Sequence, residues 1–460
     1  MDISARFEQY LEHLAEGLAH ADRRSGLRGY CTGLMLPLSR KSVEPMAARL
    51  DPQRVSARHQ ALHHFVAKSR WSDEALLARV REQVAPLLGS EGGRYWIIDD
   101  TGFAKKGRHS VGVARQYCGQ LGKQDNCQVA VSLSLASPRG SVPVAWRLYL
   151  PLEWASDAAR RDKAQVPAEV QFATKPQIAL AQVREALASG MPPGIVLADA
   201  GYGDETAFRD ELTRLGLLYA VGVRPGTTVW AGGVEPLLPK PWSGRGPRPK
   251  RLRRAPGHAP GTVKALALSL PPAAYRTVSW RAGTNDALSS RFARLRVRAA
   301  HRDYCRSEQR AQQWLLIEWP EGESEPLKYF LSTAPEEATM EQLVYVTKMR
   351  WRIERDYQEL KQEFGLGHYE GRGWIGFHHH ASLSIAAYAF LVAERLRSAQ
   401  DVKKNAIECQ VPAVSEDYLA RGSPARAAPR ARFDHDAAHS VDFLPDAQTH
   451  HVSLLRAHKR

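Results

Sequence analysis

The sequence predicts an α/β protein whose mixed sheet is covered by helices, with an N-terminal helical domain and a β-rich insertion. Three observations support this prediction. Apolar residues follow a helical period over the first 90 residues. From Arg94 the pattern becomes strands, then helix, strand, helix and strand, an order that a mixed sheet with helices on it accommodates economically. A second group of strand-like segments then interrupts this order, so we divide the chain into a helical domain (1–90), a first core segment (91–224), a β-rich basic insertion (225–335), the last core helices (336–398) and a loosely ordered tail (399–460).

Composition places the chain among ordinary globular proteins. Of its 460 residues, 43% are hydrophobic and 25% are charged. No apolar run approaches the ~20 residues that a membrane span requires, and the N-terminus lacks a signal-peptide pattern. The five cysteines are scattered without a C-x-x-C motif, which indicates reduced thiols and no zinc site. We therefore expect a cytosolic protein that does not interact with a membrane.

The net charge of +15 favours a polyanionic partner, most often nucleic acid. A merely basic protein or one that binds a membrane surface are the alternatives. The distribution of charge favours nucleic acid, because the stretch from Pro236 to Asn285 contains ten Lys or Arg and no Asp or Glu. We expect an exposed basic loop there, with DNA-binding candidates Lys240, Arg245, Arg248, Lys250, Arg251, Arg253 and Arg254. Five tryptophans lie among the cations of the insertion, and we expect most to be core and at most one to stack on a base.

Residues 1–90 contain short basic helices separated by Gly and Pro. Two interpretations stay open: a helix-turn-helix-like DNA-binding module, or a bundle that only packs on the next domain. His59 and His63 are four residues apart, as metal ligands can be, but the absence of a third ligand favours core or surface histidines. The strand-like segments that follow include YWIID, NCQVAVSLSLAS and GIVLAD, and their order with the helices is that of RNase H-like nuclease cores.

The run from Thr339 to Gly367 predicts one amphipathic helix, with Thr339 and Gln342 as a capping box and Gly365 as its stop. Its buried stripe is Leu343, Val346, Met349, Ile353, Tyr357, Leu360 and Phe364. Arg350, Glu354 and Lys361 form a second row on one face, which suits a metal or phosphate site or, alternatively, is a solvated face. The adjacent His378, His379 and His380 point in different directions on a helix and do not predict a metal site.

Three carboxylates are candidate ligands for a metal. Asp99 or Asp100 ends the first strand, Asp199 ends GIVLAD, and Glu354 lies on the late helix. Neighbouring strand ends in one sheet bring aspartates together, and a packed helix adds the glutamate. Close carboxylates require a cation to neutralise them, and hard oxygen ligands suit Mg²⁺ or Mn²⁺. Two such ions activate a water or a 3′-hydroxyl and stabilise the leaving oxygen in phosphodiester chemistry.

The segments IIDDTGFAKKGRHSVGVARQYCG, VLADAGYGD and RWRIERDYQELKQEFGLGHYEGRGW together resemble the DDE transposases of bacterial insertion sequences, in the branch with a Tyr-Arg-Glu-Lys signature. The resemblance spans about residues 1 to 400. It implies an RNase H-like fold with a β-rich insertion between the second Asp and the Glu. By position, Asp199 and Glu354 match the second and third catalytic acids. The D-x-T form of the first motif favours Asp99, with Asp100 the alternative.

The resemblance also implies roles for the signature cations and an activity. Arg350 and Lys361 match the signature Arg and Lys, which contact DNA phosphates. The signature Tyr is replaced by Thr347. The implied function is a transposase that uses Mg²⁺ or Mn²⁺, two ions, to cut element ends and join 3′-hydroxyls to target DNA, acting as a homodimer on terminal inverted repeats. An RNase H-like nuclease without transposition and an inactive DNA-binding repressor from a decayed element are the alternatives.

Overall fold

A computed structural model describes residues 2–88, 93–282 and 287–402. The predicted loosely ordered tail lies, from residue 403, outside the described residues. The described residues form two compact units, one from the described residues up to Pro192 together with 351–402, the other from the described residues of 193–350. This division differs from the five segments predicted above, whose functional boundaries stay a prediction. Among the described residues, no helix combines the length and apolarity needed to cross a bilayer.

Both units contain helices and strands, which confirms the α/β class. The helices are α1 (Ile3–Ala15), α2 (Arg23–Met35), α3 (Val43–Leu50), α4 (Val55–Ala67), α5 (Asp73–Leu88), α6 (Leu152–Ala155), α7 (Ala158–Lys163), α8 (Lys175–Ala188), α9 (Ala200–Gly203), α10 (Thr206–Arg214), α11 (Val263–Ser269), α12 (Met340–Lys348), α13 (Trp351–Gln362) and α14 (Trp374–Val402). The strands are β1 (Tyr95–Ala104), β2 (Ala114–Cys118), β3 (Lys123–Ser137), β4 (Gly140–Leu148), β5 (Ile195–Ala198), β6 (Tyr219–Val223), β7 (Thr228–Trp230), β8 (Gly261–Thr262), β9 (Arg276–Ala282), β10 (Ala287–Ala299), β11 (Gln313–Glu318) and β12 (Lys328–Ser332).

The N-terminal helices of the first unit pack against the long helix α14. The Tyr10 hydroxyl donates to the Ala386 carbonyl at 2.9 Å, and Tyr30 hydrogen-bonds the His380 ring at 2.9 Å. At the start of α1, the Asp2 carboxylate accepts the Ile3 N–H and caps the helix. Residues 3–88 are helical, as the apolar period indicated. These contacts explain why α1, α2 and α14 form one bundle, whereas the DNA-binding interpretation of this region stays a prediction.

In the first unit, the strands β1, β2 and β4 each pair antiparallel with β3. β3 lies between β1 and β4 for most of its length, and its first residues pair with β2. Helix α13 packs on β1 and β4, and α8 packs on β3. The antiparallel strands of this unit match the strand-rich first half of the predicted core. They also fix the direction in which each β1 side chain points.

In the second unit, β5 and β6 are parallel and the remaining strands pair antiparallel, so the sheet is mixed as predicted. β6 continues through β12 and β11 to β10, which also pairs with β7 and β9. The sequence TVKALALSL is one of the strand-like segments of the predicted insertion, and its prediction as a strand is wrong. TVKALALSL forms α11, because the Thr262 hydroxyl accepts the Ala265 N–H as an N-cap and the Ala and Leu residues that follow favour a helix.

The late amphipathic run is two helices and not one. Thr339 and Gln342 form the predicted capping box, and the residues of the predicted stripe are buried. At Met349, however, the N–H is shared between the Tyr345 and Val346 carbonyls, a tightened turn that ends α12. Helix α13 begins at Trp351, directly after Arg350, the last residue of the second unit. The helical offset of four from Arg350 to Glu354 therefore crosses this break and does not fix a common face.

Candidate active site

Asp99 and Asp100 lie in the middle of β1 and point to opposite faces. The prediction that one of them ends the first strand is wrong, because β1 stays paired with β3 through Ala104. In the β1–β3 register, Asp99 lies opposite Ser132 and Asp100 lies opposite Val131. Successive side chains alternate along a strand, and directly opposite residues share a face. The Asp100 carboxylate pairs with the Lys175 ammonium at the start of α8, at 3.0 Å. Asp99 therefore lies on the other face, with Ser132.

The face that carries Asp99 is the face covered by α13. Ser132 hydrogen-bonds the Tyr357 hydroxyl at 2.7 Å, which places α13 over this part of the sheet. Glu354 is exposed on α13, three residues and about one turn before Tyr357. Asp99 and Glu354 thus lie on the same side of the first unit, and Asp100 does not. This geometry favours Asp99, the first of the two alternatives left by the sequence.

A mainly aromatic wall borders Asp99. The Trp146 ring packs edge-on against Tyr357, with 6.5 Å between centroids, and against Phe103, at 6.2 Å. Burial and then the nearby charge of Asp99 raise the pKa of Tyr357 well above its ordinary value. The phenol therefore stays protonated at any pH at which the protein works. Asp99 itself is half-buried, and its Oδ1 accepts the Asp100 N–H at 2.9 Å.

Asp199 follows β5 directly, in the second unit. Its Oδ1 accepts the Gly201 N–H at 2.8 Å, so the carboxylate caps the short helix α9. The preceding strand residues are buried, whereas Asp199 is half-exposed. The predicted position of this acid at the end of a buried strand is therefore correct. Its role as a metal ligand stays a prediction.

The donor chemistry of these acids fits a hard divalent cation. Asp99, Asp199 and Glu354 are carboxylates whose side chains are half-buried or exposed, and carboxylate oxygens are the preferred ligands of Mg²⁺ and Mn²⁺. Within residues 2–88, 93–282 and 287–402, no three His, Cys, Asp or Glu side chains are grouped closely enough to hold a metal ion.

Two signature positions have contacts within the protein. The Lys361 ammonium donates to the Gly102 carbonyl at 2.9 Å and lies 5.1 Å from the Phe103 ring centroid. Burial lowers the pKa of Lys361. Lys361 therefore fastens α13 to β1 in this structure. Thr347 is buried, and its hydroxyl donates to the Leu343 and Val344 carbonyls within its own helix.

The basic insertion contains an open groove of 780 Å³. It is lined by Lys240, Pro247, Arg248, Pro249, Lys250, Arg251 and Arg253. Trp242 is the most exposed tryptophan of the insertion, and the Arg248 guanidinium lies 5.0 Å from its ring centroid. Arg254 differs from the other predicted cations, because it pairs with the buried Asp303 carboxylate at 2.6 Å. Arg245 does not line the groove.

The candidate histidines are bound within the fold. His379 contacts the Val66 and Trp71 carbonyls, and His380 contacts Tyr30 and the Gly365 carbonyl. Burial lowers the pKa of His379 and of His380 to about 4. These rings are neutral core residues that join α14 to the N-terminal helices. His59 and His63 stack on the surface of α4, with 6.1 Å between ring centroids.

The sequence reasoning missed the parts played by Ser132, Tyr357 and Lys175. Tyr357 was placed only in the buried stripe, and Ser132 only in an alternating strand. The register of β1 against β3 is what connects them to Asp99, and periodicity does not provide a register. A signal for Lys175 was present in its position at the first residue after a helix cap, but nothing in the sequence joined it to Asp100.

Comparison with known proteins gives the family of this chain. The family described as DDE superfamily endonuclease matches residues 13–287, more than half of the chain and a range that includes Asp99, Asp100 and Asp199. The chain is also 34% identical over 197 residues to a probable transposase for insertion sequence element IS701 from Microchaete diplosiphon. That alignment covers 42% of this chain and 47% of the relative, so the chain spans about half the length of the protein it matches. The family implies dependence on a divalent metal. The chain belongs to the DDE superfamily endonucleases.

Proposed function

We propose that this protein is a DNA transposase that cleaves the ends of an insertion sequence and transfers the cut strands to target DNA. The observation that carries the proposal is that Asp99 lies on the face of β1 that is covered by α13, the helix that contains Glu354. The family match and the similarity to a transposase support the same conclusion.

Asp99, Asp199 and Glu354 would hold the metal, as two Mg²⁺ or Mn²⁺ ions. When bound, the ions would supply an activated water or 3′-hydroxyl and stabilise the leaving oxygen. The chain's own residues keep Asp99 in position. The hydrogen bond between Ser132 and Tyr357 fastens α13 to the strand next to β1, and Lys361 fastens it to β1 itself.

Asp100 has a supporting role in this proposal. Its ion pair with Lys175 holds the carboxylate on the α8 face, at 3.0 Å, and both side chains are about 30% exposed. Because neighbouring carboxylates repel, this pair also removes one negative charge from the vicinity of Asp99. Asp100 therefore stabilises the charge balance of this part of β1 without binding the metal.

The groove of the insertion would bind the DNA backbone. Lys240, Arg248, Lys250, Arg251 and Arg253 line it without an intervening acid, and phosphate contacts supply most of the affinity of such sites. Binding should therefore weaken steeply as salt rises. Arg350 would contact a phosphate near the scissile bond. Two element ends must be joined, so we expect a homodimer in the DNA complex.

The proposal is tested by cleavage of a duplex that carries the terminal repeats of the flanking element, with Mg²⁺ present. We expect the wild type to cut at the repeat end and to join a pre-cut 3′-end to a target duplex. Glu354→Gln and Asp99→Asn should lose both reactions and keep DNA binding. Asp100→Asn should keep measurable cleavage, reduced by about 10–100-fold at most, since that is the usual cost of changing a residue outside the metal shell.

Each outcome has a distinct meaning. Nicking without strand transfer would contradict transposition, and binding without cleavage by the wild type would contradict the enzyme. Cleavage by Asp99→Asn together with its loss in Asp100→Asn would show that the strand-face argument is wrong. Equal cleavage by Glu354→Gln and the wild type would remove Glu354 from the site.

A further inference from the structure

A second basic surface lies in the first unit, at the end of the strand that carries Asp99. A hollow of 470 Å³ is lined by Lys106, Arg108, Val113, Ala114, Arg115, Asp125, Asn126, Glu153 and Arg160. We propose that its four cations, from here on the hairpin surface, bind the backbone of the substrate DNA duplex beside the cleavage site. This inference rests on the proposed function, and it adds residues that lie outside both the insertion and the acidic site.

The loop that contains Lys106 and Arg108 is held by hydrogen bonds from the Asn126 side chain. The Asn126 side-chain amide donates to the Lys105 and Gly107 carbonyls, at 2.8 and 2.7 Å. The Lys105 N–H donates in turn to the Asn126 carbonyl at 2.9 Å. One amide thus closes both sides of the turn. The loop is therefore held in one conformation before any ligand arrives, which lowers the entropic cost of binding.

Neighbouring lysines in this loop differ in what they do. The Lys105 ammonium donates to the Tyr369 carbonyl at 3.0 Å, and burial lowers the pKa of this group. Lys106 and Arg108 are exposed. Neither forms an ion pair with any residue of the described structure, and the same holds for the exposed Arg115 on β2. Lys105 anchors the loop. Lys106, Arg108 and Arg115 are exposed to solvent and form no ion pair among the described residues.

The fourth cation is fixed by stacking. The Arg160 guanidinium lies 3.8 Å from the ring centroid of the buried Trp154, a distance at which cation and ring attract each other. Two carboxylates also line the hollow. Asp125 is paired with Lys123 at 3.3 Å and also interacts electrostatically with Arg115, so Asp125 and Glu153 are the two acids that oppose the four cations. The net charge of the lining is therefore positive.

The arrangement fits a polyanion better than a single small anion. The cations come from a loop, an edge strand and α7, so they are spread along a surface and do not converge on one point. Tyr117 is 60% exposed on the same edge strand and, by alternation, on the same side as Arg115. Repeated phosphates with sugars between them match such a mixture of cations and one exposed ring.

The position along β1 predicts where on the DNA this surface acts. Five residues separate Asp99 from Ala104, the last residue of β1, which is ~17 Å at ~3.3 Å per residue. One strand of a duplex advances ~3.4 Å per nucleotide, so the contacts should lie about five nucleotides from the cut phosphate. A duplex that reaches Asp99 in line with β1 would therefore place its backbone on Lys106 and Arg108.

The test is a salt titration of duplex binding in EDTA, so that no cleavage occurs. The variant is Lys106→Gln, Arg108→Gln and Arg115→Gln together. The control removes three exposed cations of the core segment, Arg184→Gln, Arg214→Gln and Arg224→Gln, which lie outside the N-terminal helices, the insertion and the hairpin surface, and so matches the loss of net charge. Each phosphate contact contributes about 0.9 to the slope of log affinity against log salt, so the variant should lose up to about 2.7 and the control little.

A hydroxyl-radical footprint gives a second measurement. We expect the variant to lose protection about five nucleotides from the cut site, as estimated above, and to keep protection by the insertion groove. Equal salt slopes and footprints for variant and wild type would overturn the inference, as would an equal fall in variant and control. A wild type that binds but never cleaves would instead contradict the proposed function, and the slope comparison would still decide the inference.

Discussion

Asp356 lies on the buried side of α13 and should make the protein less stable as pH rises. Its Oδ1 accepts hydrogen bonds from the Ser141 hydroxyl at 2.7 Å and the Tyr388 hydroxyl at 2.9 Å. Its Oδ2 is buried and has no hydrogen-bond partner among the described residues. Burial raises the pKa of Asp356 from 3.8 to about 7, against the opposing effects of the two hydrogen bonds and of Arg352.

The sign of the effect follows from which state holds the proton. Between pH 4 and pH 7 the folded chain keeps a proton on Asp356 that the unfolded chain has lost, so stability falls as pH rises through this window. The fall is about 1.4 kcal/mol per pH unit. From pH 5 to pH 7 this amounts to about 3 kcal/mol, with no further change above pH 7.

Replacement of Asp356 by Asn isolates this contribution. The amide is neutral at every pH and retains an oxygen that accepts from Ser141 and Tyr388. Urea unfolding followed by tryptophan fluorescence at pH 5 and pH 8 gives the difference in free energy of unfolding between Asp356→Asn and the wild type. We expect that difference to move in favour of the variant by about 3 kcal/mol from pH 5 to pH 8.

A matched control is Asp162→Asn, the same substitution at an exposed aspartate of α7, measured at the same two pH values. The quantity compared is the change with pH in the difference in free energy of unfolding between variant and wild type. Its absolute value at one pH is not used, because it also contains the cost of any amide hydrogen that the Asn leaves unpaired. A difference that is the same at both pH values for Asp356→Asn would refute the reasoning, since the carboxyl would then titrate at its ordinary pKa.

Two further predictions concern residues that the family signature and the basic loop single out. Thr347→Val should leave DNA cleavage unchanged and cost about 0.5–1.5 kcal/mol in unfolding free energy, the net contribution of one intramolecular hydrogen bond, because the hydroxyl donates only to carbonyls of its own helix. A loss of cleavage with stability intact would show that the hydroxyl reaches DNA. Arg254→Gln should lower unfolding free energy by about 3 kcal/mol, since it leaves the buried Asp303 unpaired, whereas Arg251→Gln should weaken DNA binding at unchanged stability; the reverse pattern in urea and binding titrations would contradict both assignments.

Much of the fold followed from periodicity and from end signals. The buried stripe, the capping box of Thr339 and the strand end before Asp199 appear where the sequence placed them, whereas β1 continues past Asp99 and Asp100 to Ala104. The break between α12 and α13 did not, because Met349 and Arg350 are both acceptable inside a helix and no Gly or Pro marks the turn. The break is marked by the shared backbone hydrogen bond of the Met349 N–H, a local geometry that the residue types of this segment do not predict.

The site was predicted less completely than the fold. Alternation along β1 shows that Asp99 and Asp100 face opposite ways, but only the register with β3 and the helices above and below it decide which acid faces α13. Lys361 was expected on DNA, whereas its ammonium contacts a backbone carbonyl in this structure. Both points depend on pairings between residues far apart in sequence, which a pattern within one segment does not contain.

The contacts between the N-terminal helices and α14 have a consequence for synthesis of the chain. Tyr10 and its partner Ala386 are 376 residues apart, and Tyr30 and His380 are 350 apart. A ribosome that adds about 5–20 residues per second needs about 20–70 s to cover such a separation. During that interval the apolar sides of α1 and α2 have no α14 to cover them, so they depend on chaperones or on transient contacts. A product that stops before Trp374 would never bury these surfaces, and we expect the cell to degrade it.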